Sequence, residues 1–201
     1  MDEPPRSPAA VPAALMQDVD RAIYTIEGMQ RELNQAEILG NLAQYVYDPA
    51  SGRATESYHP FTVVLSQDCD LAQAFDNPAT VNEVLVFEVH TEEEVRAAVQ
   101  GGKDFDRLVK NLNERFQYLE AVPPELDLSG LGTPPLFIDF KRFFAVRPSE
   151  VYRQCTLAHG AQRRCRLQSP YREHLQARAA FYLQRVMLPH MHRKPRQGSD
   201  P

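Results

Sequence analysis

Apolar and polar positions change period several times along this chain, and each change marks a candidate element. From Ala13 to Leu33 the residues Leu15, Val19, Ala22, Ile23, Ile26, Met29 and Leu33 recur at helical spacing, which predicts a helix weakened in its second half by Gly28. The stretch AEILGNLAQYVYD, ending at Asp48, alternates through Tyr45, Val46 and Tyr47 and predicts a strand, closed by turn residues in DPASGR. FTVVLS, residues 61–66, is β-branched and apolar, the pattern of a strand buried on both faces. A second such strand, VNEVLVFEV at 81–89, follows the breaker Asn77-Pro78. Thr91 then has the chemistry of an N-cap, with Glu92, Glu93 and Glu94 in a first helical turn that runs on to Gln100.

Gly101-Gly102 ends that helix and Asp104 opens another, through Asn113. RFQYLEAV at 115–122 predicts a strand and PPELDLSGLGTPP a loop; PLFIDF and RFFAV predict two short strands or one bent one within 135–146. Pro148-Ser149-Glu150 can start a single helical turn. RRCRLQ predicts a strand with Cys165 and Leu167 on one face and Arg164 and Arg166 on the other. Ser169-Pro170 opens a last helix whose buried stripe is Leu175, Ala179, Tyr182 and Val186, stopped by Pro189. Short strands with helices between them, and no regular β-α-β-α order, predict an α+β fold: a small curved antiparallel or mixed sheet, or an SH3-like barrel, with inserted helices and a C-terminal helix. A doubly wound α/β arrangement is the alternative. One domain over 13–189 is expected, between a Pro-rich disordered lead (1–12) and a basic disordered tail (190–201).

Composition changes this picture in two places. Of 201 residues, 43% are hydrophobic and 24% charged, an ordinary globular balance, and no apolar run approaches the roughly 18–20 residues that span a bilayer. The acidic, Pro-rich N-terminus lacks a signal-peptide pattern, and Cys69, Cys155 and Cys165 form neither a disulfide framework nor a metal clip, so a cytoplasmic protein with reduced thiols is expected. Charge is also strongly skewed. Residues 1–140 hold 9 Lys/Arg against 24 Asp/Glu, a net of −15, and residues 141–201 hold 13 against 3, a net of +10. Such a skew suits a polyanion or an acidic protein partner, and it equally suits two halves that interleave and neutralise each other.

Candidate chemistry gathers where greasy strands turn polar. His59-Pro60 precedes the strand at 61–66, and Ser66-Gln67-Asp68-Cys69-Asp70 ends it. Cys69 between two carboxylates is a poor thiolate, and Asp68 or Asp70 equally suits a turn that closes the strand. A metal site from His59, Cys69, Asp70 and His90 matches no zinc spacing, and His190 and His192 read as surface residues, so no metal or cofactor is expected. Phosphate loops, G-x-S-x-G elbows and H-E-x-x-H motifs are absent. Arg115 leads into a strand that carries Phe116 and Tyr118 on one face, either core or a base-stacking platform. Phe137, Phe140, Phe143 and Phe144 read as packing. Arg163, Arg164 and Arg166 suit phosphate contacts or a solvated edge strand.

The segments Asn34-Gln35-Ala36-Glu37-Ile38-Leu39, His59-Pro60-Phe61-Thr62-Val63-Val64-Leu65-Ser66 and Phe87-Glu88-Val89-His90-Thr91 resemble the first strands of the PemK/MazF-type toxins, over roughly residues 34–91. That resemblance implies an SH3-like barrel and metal-independent RNA cleavage. The family's arginine before proline is His59 here, its first-strand Gly-Asp is Ala36-Glu37, and the Q-D-C-D cluster lies outside its pattern. On the resemblance, His59 is the general acid or base, Thr91 contacts substrate, and Arg115 with Arg53 holds phosphate. Three functions follow as expectations: a nucleic-acid-associated or protein-interaction module, such as an accessory factor of a bacterial defence system; a metal-independent endoribonuclease; and a hydrolase using Cys69 and Asp70. The expected partners are RNA or an acidic protein, with no membrane.

Overall fold

The computed structural model describes residues 22–77, 80–81, 83–98 and 102–187. Seven strands, β1 (Tyr24–Thr25), β2 (Glu37–Asp48), β3 (Arg53–Val64), β4 (Val84–Thr91), β5 (Phe116–Leu119), β6 (Leu136–Val146) and β7 (Gln162–Leu167), form one sheet in the order β1-β7-β2-β3-β4-β6-β5. Every pairing is antiparallel, and the sheet is open. Among the described residues five α-helices accompany it: α1 (Asp68–Asp76), α2 (Glu92–Ala98), α3 (Gly102–Val109), α4 (Pro148–Cys155) and α5 (Tyr171–Met187). The fold is therefore α+β with a C-terminal helix, and the sheet does not close into a barrel.

Side-chain alternation along the strands divides the core. On β4, Phe87 and Val89 pack with Val63, Ile138 and Phe140 in a cluster that α5 covers through Leu175 and Ala179, with Tyr182 against it. Val84 and Val86 point the other way and pack with Val64 and Phe144 under Leu71 of α1 and Val151 of α4. Farther along this second face, Phe137 packs under Val95 of α2 and Phe105 and Leu108 of α3. The second face thus carries two separate helical covers. Each large apolar side chain so buried contributes about 1.5–3 kcal/mol.

Two irregularities shape the strip between these covers. Phe87 pairs with Phe143 but Val89 pairs with Ile138, so Glu88 alone faces the four residues Asp139–Arg142, a wide bulge in β6. On β2, Leu39 and Leu42 reach the same cluster although three apart, because Asn41 takes φ 54° and resets the alternation. Asn tolerates that left-handed conformation, and its Nδ2 donates to His159 O at 2.8 Å. The reset carries His59, the register partner of Leu42, onto the second face. Where β7 stops pairing with β2 at Gly40, Gln154 of α4 takes over: Ala43 N donates to its Oε1 at 2.8 Å, and its Nε2 donates to Ala43 O at 2.9 Å.

Several expectations are corrected. The helix predicted from Ala13 lies outside the described residues as far as residue 21; beyond that the chain forms β1 and turns. Gly28 sits there at φ 74°, a left-handed turn conformation, and Tyr24 pairs with Leu167. The apparent stripe of Met29 and Leu33 is buried all the same, by tertiary packing rather than by helical phase. Of the two readings for 135–146, the single bent strand is the one formed, with its bend at the bulge, whereas the turn at Pro148 extends to a full helix. The second mid-chain helix stops at Val109, and Asn111 turns at φ 55°. Residues 1–12 and 190–201 lie outside the described residues, as does the Val186 side chain. Among the described residues, no helix is long and apolar enough to cross a membrane.

Candidate functional site

A strip of polar groups crosses the second face between its two helical covers. It is built from β3, β4, the β6 bulge and the entry to β5. His59 stacks on Phe144 with ring centroids 4.4 Å apart. Its Nε2 lies 3.2 Å from Gln44 Oε1 and its Nδ1 3.9 Å from Glu88 Oε1. With Nε2–H donating to Gln44, Nδ1 keeps its lone pair, the atom a general base uses. Burial pushes the His59 pKa below the ordinary histidine value; Glu88 opposes that shift and His90 reinforces it. The neutral form of His59 is thus favoured near pH 7.

Glu88 also accepts from Arg142 Nη1 at 3.2 Å. Two residues along the same strand face, His90 Nε2 lies 3.7 Å from Asp139 Oδ2. Asp139 has no exposed side-chain surface. It accepts from Arg115 Nε at 2.8 Å, Arg115 Nη2 at 2.5 Å and the Lys141 amide at 3.0 Å. Burial alone would raise its pKa, but hydrogen bonds from Arg115, His90 and the Lys141 amide outweigh it and hold the carboxyl well below the usual range. The strip therefore contains two histidines, each beside a carboxylate tied to an arginine. Arg142 spends one nitrogen on Glu88 and is 58% exposed, and Arg115 is 41% exposed, so both keep donors toward water.

Of the residues singled out from sequence, His59 and Arg115 meet in this strip, together with His90. The others go elsewhere. Thr91 caps α2: its amide and hydroxyl donate to Glu94 Oε2 at 2.7 and 3.1 Å, a capping box. Cys69 and Asp70 lie on α1, where Cys69 is exposed with Sγ 3.7 Å from Gln67 Oε1 and Asp70 Oδ1. The polar cluster at 66–70 is the start of that helix, with Asp68 and Asp70 in its first turn. Five strand residues, about 17 Å, separate His59 from the β3 end that leads into it. The histidines and the α1 residues therefore do not converge on a metal, and among the described residues no group of three or more His, Cys, Asp and Glu could hold one. Arg53 begins β3, six residues or about 20 Å along the strand from His59.

The three β7 arginines are engaged inside the fold. Arg163 makes two bonds to buried Glu37, at 2.5 and 2.8 Å, and two more to the carbonyls of Arg31 and Glu32. Arg164 is buried against Asp127, with bonds at 2.8 and 2.6 Å. Arg166 donates to Asn34 Oδ1 at 3.0 Å. These contacts tie the basic C-terminal third to the acidic remainder, the neutralising arrangement that the charge skew allowed.

Glu88, Asp139 and Arg142 were not legible as site residues. The signal for Glu88 was the polar alternation in F-E-V-H-T, whose Glu88 and His90 share one face while Phe87 and Val89 share the other. Asp139 and Arg142 enter only through the bulge, which no periodicity marks. Comparison with protein-family models, curated proteins and solved structures finds no match to this chain.

Proposed function

We propose that this strip binds a phosphodiester of single-stranded RNA and cleaves it without a metal. The observation that carries the reading is the convergence of His59 and His90, each beside a carboxylate–arginine pair, on one water-reaching strip between two helical covers. In the proposed reaction His59 Nδ1 takes the proton of a ribose 2′-hydroxyl. The 2′-oxygen attacks phosphorus, the P–O5′ bond breaks, and His90 supplies the proton to the departing 5′-oxygen. Products are a 2′,3′-cyclic phosphate and a free 5′-hydroxyl. Arg142, with unspent N–H donors, and Arg115 hold the non-bridging oxygens as charge develops. The PemK/MazF resemblance supports the same chemistry, with a histidine in place of the family's arginine and the phosphate contacts moved to the entry of β5 and to β6.

Labelled single-stranded RNA incubated with the full chain in EDTA tests the reading. Cleavage, together with binding that weakens as salt rises, is expected. Intact RNA and no salt-sensitive binding would end it.

A further inference from the structure

Next to the Arg115–His90 end of the strip, a cavity of about 270 Å³ opens between α3 and β5, lined by Asp104, Arg107, Leu108, Asn113 and Phe116. At about 30 Å³ per water it has room for roughly nine waters, a volume suited to one base rather than to a drug-sized ligand. Phe116 forms an aromatic wall and joins the cavity to the strip: its ring lies 6.4 Å from that of His90, and the Arg115 guanidinium sits 4.6 Å from its centroid.

Three polar side chains, Asp104, Arg107 and Asn113, stand among the lining residues. Asn113 Oδ1 accepts from the amides of Arg115 at 2.8 Å and Phe116 at 3.1 Å. Two backbone donors on one oxygen fix the amide's orientation, so its Nδ2 can only present N–H groups. Among the described residues, neither that Nδ2, nor the Asp104 carboxylate, nor the Arg107 guanidinium has a hydrogen-bond or ion-pair partner. The lining thus includes both a carboxylate acceptor pair and N–H donors.

We infer that this cavity is the base subsite of the strip and that it selects guanine; the inference rests on the RNA reading above. Guanine alone among the RNA bases presents two adjacent donors, N1–H and N2–H, beside the O6 acceptor. A carboxylate takes both donors, and an amide or guanidinium N–H reaches O6. Adenine would set its N1 lone pair against Asp104 and leave the donors of Asn113 unmet. The Phe116 ring supplies the apolar contact for the base face.

The test titrates the full chain with 5′-GMP and with 5′-AMP, reading amide shifts by NMR, and compares cleavage of guanine-containing and guanine-free RNA in EDTA. GMP is expected to bind about tenfold tighter than AMP, shifting the Asn113 and Phe116 amides. Asp104→Asn, at an exposed helix position, should abolish the preference, and Arg107→Ala should weaken GMP binding. No binding of either nucleotide, equal binding of both, or a preference that survives Asp104→Asn overturns the subsite. Cleavage of RNA without base preference overturns the subsite and leaves the strip's chemistry standing. Asp104-dependent GMP binding without any RNA cleavage does the reverse.

Discussion

Arg115 and Asp139 face each other through two parallel hydrogen bonds, Nε to Oδ1 at 2.8 Å and Nη2 to Oδ2 at 2.5 Å, with the carboxylate sealed from water and the guanidinium 41% exposed. One partner is held by the fold while the other reaches outward. The pair therefore anchors the strip and still presents charge at its surface.

Arg115→Ala leaves the buried Asp139 carboxylate with only the Lys141 amide and His90. The expected cost is about 3 kcal/mol, the usual consequence of breaking one side of a buried pair. Urea unfolding of the variant measures it. Arg115→Lys should recover only part of the loss, because an ammonium cannot form the two-point contact.

Arg163→Ala should lower stability by about 3 kcal/mol, because it leaves buried Glu37 without its cation and with only the Asn34 amide and side-chain donors. RNA affinity measured at a temperature where the variant stays folded should be unchanged. A selective loss of affinity would instead make the β7 arginines part of the nucleic-acid contact.

Asp127 lies under Arg164 with its side chain shut away from water. Burial raises its pKa, but hydrogen bonds from Arg164 and Ser129 outweigh that and bring it to about 2. The folded-state value lies below the unfolded one near 3.9, so its contribution is fully present above about pH 5. It is lost as pH falls through 4 toward 2. About 2 kcal/mol is expected to disappear over that window in urea midpoints taken from pH 5 to pH 2. Asp127→Asn should be less stable at pH 7 and should show a shallower decline on acidification.

Gln154→Leu removes both partners of the Ala43 backbone, where β2 has already left β7. Two unmet buried groups should cost about 2–4 kcal/mol. Hydrogen exchange should locate the loosening, with the amide of Ala43 losing its protection before those of Leu39 or Val63.

Much of the fold was legible because strand and helix periods were clean where packing was one-sided. FTVVLS, VNEVLVFEV and the α5 stripe of Leu175, Ala179 and Tyr182 occupy the elements their spacing predicts. Failures came where tertiary contacts overrode period. Ile23, Ile26, Met29 and Leu33 mimic a helical stripe, but Gly28 turns the chain and Tyr24 joins the sheet edge. α1 is weakly marked in the sequence because its first turn is polar through Asp68 and Asp70, and only Leu71 and Ala74, three apart and both buried, carry a helical signal.

The candidate site was half legible for a related reason. His59 and Arg115 were visible as polar residues bordering apolar strands. What joins them is the reset at Asn41 and the bulge at Asp139–Arg142, both departures from regular alternation. A one-dimensional pattern shows which residues alternate, but it does not show where the alternation breaks.

The most direct measurement is the pH dependence of single-turnover RNA cleavage in EDTA, for the wild-type chain and for His59→Ala. Burial holds the His59 pKa below the ordinary histidine value, so the basic form predominates at pH 7, and the rate should fall as pH drops below that ordinary value. His59→Ala should lose that acid limb and about 10²–10⁴ in rate, and wild-type products should end in a 2′,3′-cyclic phosphate. Cleavage by His59→Ala at the wild-type rate, or no cleavage by either protein at any pH, would contradict the account.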